Sequence, residues 1–149
     1  MNRNDQIAAE PFLGSWSLVS WTVTAADGQV VHPLGDDAWG RLMYLQGGQM
    51  AASLMRRRRT AFVSDNRLEA TVPECEAAYR EFLAYFGTFT VQSAAGTVTH
   101  HVEAATYPNW IGTDLVRSFQ FSQDLLTLSL VSAKGAAHAL TWKRAEEIR

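Results

Sequence analysis

At 149 residues, with 47% hydrophobic and 19% charged side chains, the chain has the size and composition of one globular domain able to bury a core. A net charge of −2 and a pI near 6.1 set up no field that would draw nucleic acid or an anionic membrane. The single cysteine, Cys75, excludes an internal disulfide and a multi-thiolate zinc site, and favours a reducing compartment.

The opening "MNRNDQIAAEPF" contains no apolar segment, so neither a signal peptide nor a membrane anchor is expected, and the expected location is the cytoplasm. No apolar run reaches the ~18–20 residues needed to cross a bilayer. Residues 1–11 are polar and aperiodic and are predicted to be a flexible arm, with the folded domain over residues 12–146.

From Leu13 onward the dominant pattern is alternation with a period of two. "SWSLVSWTV" predicts a first strand, with Trp16, Leu18 and Ser20 on one face and Val19, Trp21 and Val23 on the other. "ADGQ" reads as a turn. "GRLMYLQGGQMAASLMR" reads as a hairpin, with strands at 41–46 and 49–55 joined at Gly47-Gly48. "TVPECEAAYREFLAYFG" predicts the one helix. Thr71 and Glu74 have capping-box spacing, Pro73 lies in the first turn, and Gly87 supplies the stop. Cys75, Ala78, Tyr79, Phe82 and Phe86 fall on one stripe, so the helix is expected to pack on an apolar partner. "TFTVQ", "GTVTHHVEAAT", "TDLVRSFQFS", "DLLTLSLVS" and "AHALTWKR" complete eight strands joined by short turns. Close, regular spacing without room for crossovers predicts an all-β, eight-stranded, antiparallel up-and-down barrel with one helix between its third and fourth strands.

Several stretches carry more than periodicity. "GSW" at Gly14–Trp16 resembles the lipocalin Gly-x-Trp signature, and "TWKR" holds the Arg144 that lipocalins lay across that tryptophan. "GSWSLVSW", "HPLGDDAWGRLMY", "LAYFGTFTV", "GTVTHHVEAATYPNWIGTDLVRSF" and "LTWKR", in order over residues 12–144, resemble the bacterial and fungal lipocalin-like domain family. The resemblance implies a calycin-type barrel with an internal cavity for a small, mostly apolar molecule. Some lipocalin-like proteins serve natural-product pathways as isomerases or cyclases, so the resemblance leaves catalysis open.

Candidate site residues follow from strand faces. His100 and His101 are neighbours on a strand and point to opposite sides. His100 shares its face with Val98, Val102 and Ala104 and is expected to point inward, leaving His101 and Glu103 outside. A metal site would need a third ligand from His32 or His138, and nothing in the sequence brings either near, so no metal is expected. "LVRSFQF" sets Arg117 with Leu115, Phe119 and Phe121 on the inner face. Its guanidinium either pairs with an acid such as Asp114 or lies at the barrel mouth, or it holds a carboxylate, enolate or carbonyl of a ligand. His138 alternates with Leu140 and Trp142, again inward.

Arg117, His100 and His138 therefore make up the candidate catalytic set. Tyr44, Asn109, Trp110, Phe119 and Leu140 are the candidate ligand-binding residues, with Trp110 of "YPNWIG" either at the mouth or closing the base.

"RRRR" at Arg56–Arg59 stands in a net acidic chain without interleaved aromatics. It reads as a solvated loop, or more weakly as a cationic rim, and no nucleic-acid partner is expected. No P-loop, dinucleotide fingerprint or Gly-x-Ser-x-Gly elbow is present, and no cofactor is expected.

Three functions remain open. The barrel binds a small hydrophobic oxygenated metabolite as a cofactor-free isomerase or cyclase, it carries such a molecule without chemistry, or its own side chains fill it and it serves as an interaction protein. The outward Val19, Trp21 and Val23 point to contact with the helix or with a second subunit, which would make a homodimer.

Overall fold

The computed structural model describes residues 2–148. Helix α1 (Arg3–Ala9) leads through a 3₁₀ turn at Glu10–Phe12 into β1 (Gly14–Thr24). There follow β2 (Val30–Val31), β3 (Trp39–Tyr44), β4 (Gln49–Met55), α2 (Val72–Arg80), β5 (Phe82–Gln92), β6 (Thr97–Ala105), β7 (Asp114–Ser122), β8 (Leu125–Val131) and β9 (Ala137–Arg144). Every neighbouring pair is antiparallel, and β9 returns to pair with β1, so eight strands close a barrel while β2 only extends the edge of β1. Closure gives each of the eight barrel strands a paired neighbour on both sides. No helix among the described residues is long and apolar enough to cross a membrane.

The predicted helix differs in place and in length. It lies between β4 and β5, because the unforeseen two-residue β2 adds a strand ahead of it, and a second helix forms at the N-terminus. Its start is as expected, with reciprocal bonds between Thr71 and Glu74. Its end is not: α2 stops at Arg80, and Phe82–Gln92 is strand. Seven consecutive residues of that segment pair with β4, from Met55↔Phe82 to Gln49↔Thr88. This ladder outcompetes a stripe that also fits helical spacing. Cys75, Tyr79 and Phe86 are exposed and no residue of α2 is fully buried, so the stripe does not pack as a helix face. Gly87 serves the sheet instead of stopping a helix. At the β5–β6 bulge its backbone runs so close to β6 that a Cβ there would lie 1.9 Å from the His101 carbonyl oxygen.

The N-terminal segment predicted as a flexible arm carries α1, and Phe12, the first residue of the predicted domain, plugs one end of the barrel. Phe12 is 1% exposed and meets Tyr44, Phe119 and Phe121 edge-on at 4.9–5.5 Å. Trp16 donates its indole N–H to the Phe12 carbonyl at 2.8 Å. Arg144 lies 4.2 Å from the centre of the Trp16 ring and donates to the carbonyls of Leu13 and Pro11, both at 2.8 Å. Gly14 completes this end cap. Its φ of +116° and the 3.2 Å from a Cβ to Arg144 Nη1 explain why a glycine precedes the tryptophan.

A bulge between Leu18 and Ser20 corrects the outward assignment of Trp21. The extra residue shifts the alternation by one, so Trp21 turns into the barrel while Val19 stays 49% exposed. The apolar outer stripe from which a homodimer was read thus loses its largest member.

Candidate functional site

Beyond the aromatic plug the barrel is hollow. A cavity of about 710 Å³ opens at the end formed by Pro33, Leu34, Tyr79, Leu83, Tyr107 and Trp110. The reading in which the chain's own side chains fill the barrel is therefore incorrect. The walls are largely leucine and aromatic, from Leu42, Leu54, Leu115, Leu128, Leu130 and Leu140, with Trp21, Phe82 and Trp142. Arg117, His100, His138 and Tyr85 supply the polar groups of its lining, His100 fully buried and His138 only half-buried near the start of β9, so the three candidate catalytic residues do share one cavity.

His100 forms the floor of this polar pole and is 1% exposed. Its Nε2 lies 2.7 Å from the Tyr44 hydroxyl and its Nδ1 lies 2.8 Å from the Tyr85 hydroxyl. Tyr44, read as a ligand-wall residue, is instead fully buried beneath the floor, between Phe12, Phe89 and His100. Tyr85 lines the cavity itself and went unnoticed because its segment reads as helix. The alternation of Leu83 and Tyr85 with Ala84 and Phe86 is the signal that marks it.

Burial lowers the pKa of His100 from 6.5 to about 3, helped by the Arg117 charge and then by His101. Because the unfolded chain regains the ordinary value, it binds one more proton than the folded chain between those limits. The stabilisation is complete above about pH 6.5 and is lost as pH falls toward 3, with a limiting slope of about 1.4 kcal/mol per pH unit. The urea midpoint is expected to drop steeply between about pH 6.5 and 4. His100→Gln should flatten that part of the profile, and an unchanged slope in the variant would place the titration elsewhere.

Arg117 projects into the cavity from β7 and makes one hydrogen bond, from Nη1 to the Val116 carbonyl at 3.1 Å. Among the described residues no carboxylate pairs with it, and none lines the cavity. Asp114, considered as its partner, lies on the outer face, 2.7 Å from Nδ1 of His101. Burial lowers the guanidinium's pKa, opposed by Tyr85 and Tyr44. Burial also raises Tyr85 to about 12, against the pull of Arg117. His138 accepts a long bond from the Trp21 indole at 3.4 Å, and burial followed by Arg117 lowers its pKa. At neutral pH the pole therefore holds neutral imidazoles, protonated phenols and one cation.

Of the remaining candidates, Leu140 lines the wall, and Trp110 stands at the mouth, edge-on to Tyr85 at 5.5 Å. Asn109 is exposed and donates to the Tyr107 hydroxyl at 3.0 Å, supporting the rim. Phe119 belongs to the plug with Phe12 and Phe121, outside the cavity. His101 bridges Thr90 and Asp114 across the outer strands, and Glu103 is exposed. No group of three or more His, Cys, Asp or Glu side chains gathers among the described residues. The arginine run ties the segment after β4 to the barrel. Arg57 lies over Trp39 at 5.0 Å and Arg59 over Phe82 at 5.3 Å.

A closed antiparallel barrel, plugged at one end by a tryptophan–arginine cap and hollow at the other, defines a calycin-type hollow barrel. The chain belongs to the lipocalin-like domain family, whose model matches residues 13–145. It is 36% identical over 106 residues to the 4'-hydroxy-3'-methoxypropiophenone carrier protein of Aspergillus oryzae, an alignment covering 64% of this chain and 96% of that one. Among solved structures it is similar to a redesigned β-barrel (TM-score 0.46, 15% identity, 93% and 96% of the two chains). It is also similar to a mutant of the fluorescent protein UnaG (TM-score 0.42, 13% identity, 93% and 99%).

Proposed function

We propose that the protein binds a small, largely apolar molecule inside the barrel and holds one of its oxygens at Arg117. The observation that carries this reading is a guanidinium unpaired among the described residues inside an apolar cavity of about 710 Å³. Cavities of roughly 300–1,000 Å³ suit metabolite-sized ligands. A buried cation with no protein counter-charge is costly unless something else satisfies it. The fungal relative is named as the carrier of a methoxyphenyl ketone, a molecule of this class. By that likeness, carriage within a natural-product pathway is the primary reading.

Calorimetric titration with 4'-hydroxy-3'-methoxypropiophenone tests it, with tryptophan emission as a second readout because Trp21, Trp110 and Trp142 line the cavity. One-to-one binding with quenching is expected. Absence of binding to this ketone and to simpler phenyl ketones would contradict the proposal.

The second reading is a cofactor-independent isomerase or cyclase. It is favoured by Arg117 and Tyr85 standing together, where they could stabilise developing negative charge on a bound oxygen. Both nitrogens of His100 are engaged, which leaves His138 to move the proton. Recovery of the ligand after prolonged incubation separates the two readings: a carrier returns it with an unchanged NMR spectrum.

A further inference from the structure

Counting donors locates the protons at the polar pole. Tyr44 is 1% exposed, and its hydroxyl has one partner, Nε2 of His100 at 2.7 Å. A neutral imidazole offers one N–H and one lone pair, so of the two flanking phenols one must donate to it and the other must accept.

Were the proton on Nε2, that N–H would donate to Tyr44, and the Tyr44 O–H would face packed side chains with no acceptor. An unmade buried donor disfavours that arrangement by roughly 5- to 100-fold. With the proton on Nδ1, Tyr44 donates to Nε2, and Nδ1–H donates to the Tyr85 oxygen at 2.8 Å. Both His100 nitrogens and the Tyr44 hydroxyl are then satisfied, and the Tyr85 proton turns toward the cavity that Tyr85 lines.

We infer that Tyr44, which does not line the cavity, fixes His100 as the Nδ1–H tautomer and so turns the Tyr85 O–H toward the cavity, where it stands with Arg117 as a donor. The cavity consequently selects a ligand oxygen that accepts hydrogen bonds and brings no proton, as in a ketone, carboxylate or phenolate. The other polar groups agree. Arg117 has only donors. His138 Nδ1 receives the Trp21 N–H, so its own proton sits on Nε2. An alcohol at this spot could give its own O–H only to the Tyr85 oxygen, which already accepts from Nδ1–H. The inference rests on the reading of the cavity as a ligand site.

The test titrates the parent protein and Tyr44→Phe with propiophenone, 1-phenylpropan-1-ol and propylbenzene. It also reads the His100 nitrogens of the empty parent protein by long-range ¹H–¹⁵N NMR. The parent is expected to show a protonated Nδ1 and to prefer the ketone over the alcohol by about tenfold. In Tyr44→Phe the preference should fall below about threefold, with propylbenzene affinity changed by less than about twofold, because only the proton arrangement has been loosened. A protonated Nε2, or a ketone preference untouched in the variant, would overturn the inference. Equal binding of all three probes would overturn the selectivity and leave the cavity as a ligand site. Failure of all three to bind would overturn both the selectivity and the ligand site.

Discussion

Arg117→Met is expected to weaken binding of 4'-hydroxy-3'-methoxypropiophenone by roughly 10- to 100-fold and yet raise the melting temperature by a few degrees. The two effects have one cause. The guanidinium shares the cavity with Leu115, Leu128 and Leu140 and has a single backbone hydrogen bond and, among the described residues, no counter-charge. A hydrogen bond to a charged group contributes about 1.5–3 kcal/mol to holding a ligand oxygen, and methionine removes it while keeping most of the side-chain volume. In the empty protein the same charge opposes folding, so its removal relieves a desolvation cost. Calorimetry and a thermal melt on the same preparation check both halves. A variant that melts lower and binds unchanged would make Arg117 a structural residue.

Trp16→Ala is expected to cost about 3–5 kcal/mol, the range for deleting a large buried aromatic. The indole is 1% exposed, donates to Phe12, and lies under Arg144. Its loss opens a void beneath Phe121, orphans the Phe12 carbonyl, and leaves Arg144 with only its two carbonyl contacts. Against a typical net stability of about 5–15 kcal/mol this is a large fraction. Urea denaturation measures it. The folded fraction should still bind ligand with parental affinity, because the cap and the cavity are separate ends of the barrel. A loss below about 1 kcal/mol would show that the cap does not hold the barrel shut.

Strand alternation and the Gly-x-Trp and Arg144 pattern made the barrel, its closure and the cap legible in the sequence. Two local events were not legible. The β1 bulge reversed the face of Trp21, and bulges leave no composition signal of their own. The aromatic stretch from Phe82 to Phe86 fits both periods, and only pairing with β4, a long-range contact, decides between them. That ambiguity hid Tyr85. The inward assignment of His100, Arg117 and His138 came from their apolar strand-mates, and these residues do share one cavity. Tyr44, Asn109 and Phe119 were read into the same wall because strand face gives direction but not depth. Tyr44 and Phe119 lie in or below the floor, and Asn109 lies behind the rim.

The most direct test of the central claim is to map bound 4'-hydroxy-3'-methoxypropiophenone by NMR. The account predicts intermolecular NOEs from the ligand to Leu128, Leu140 and Trp110, together with a shift of the Arg117 Nε–H resonance. Contacts confined to the outer groove between Trp39 and Phe82, with Arg117 unmoved, would contradict it.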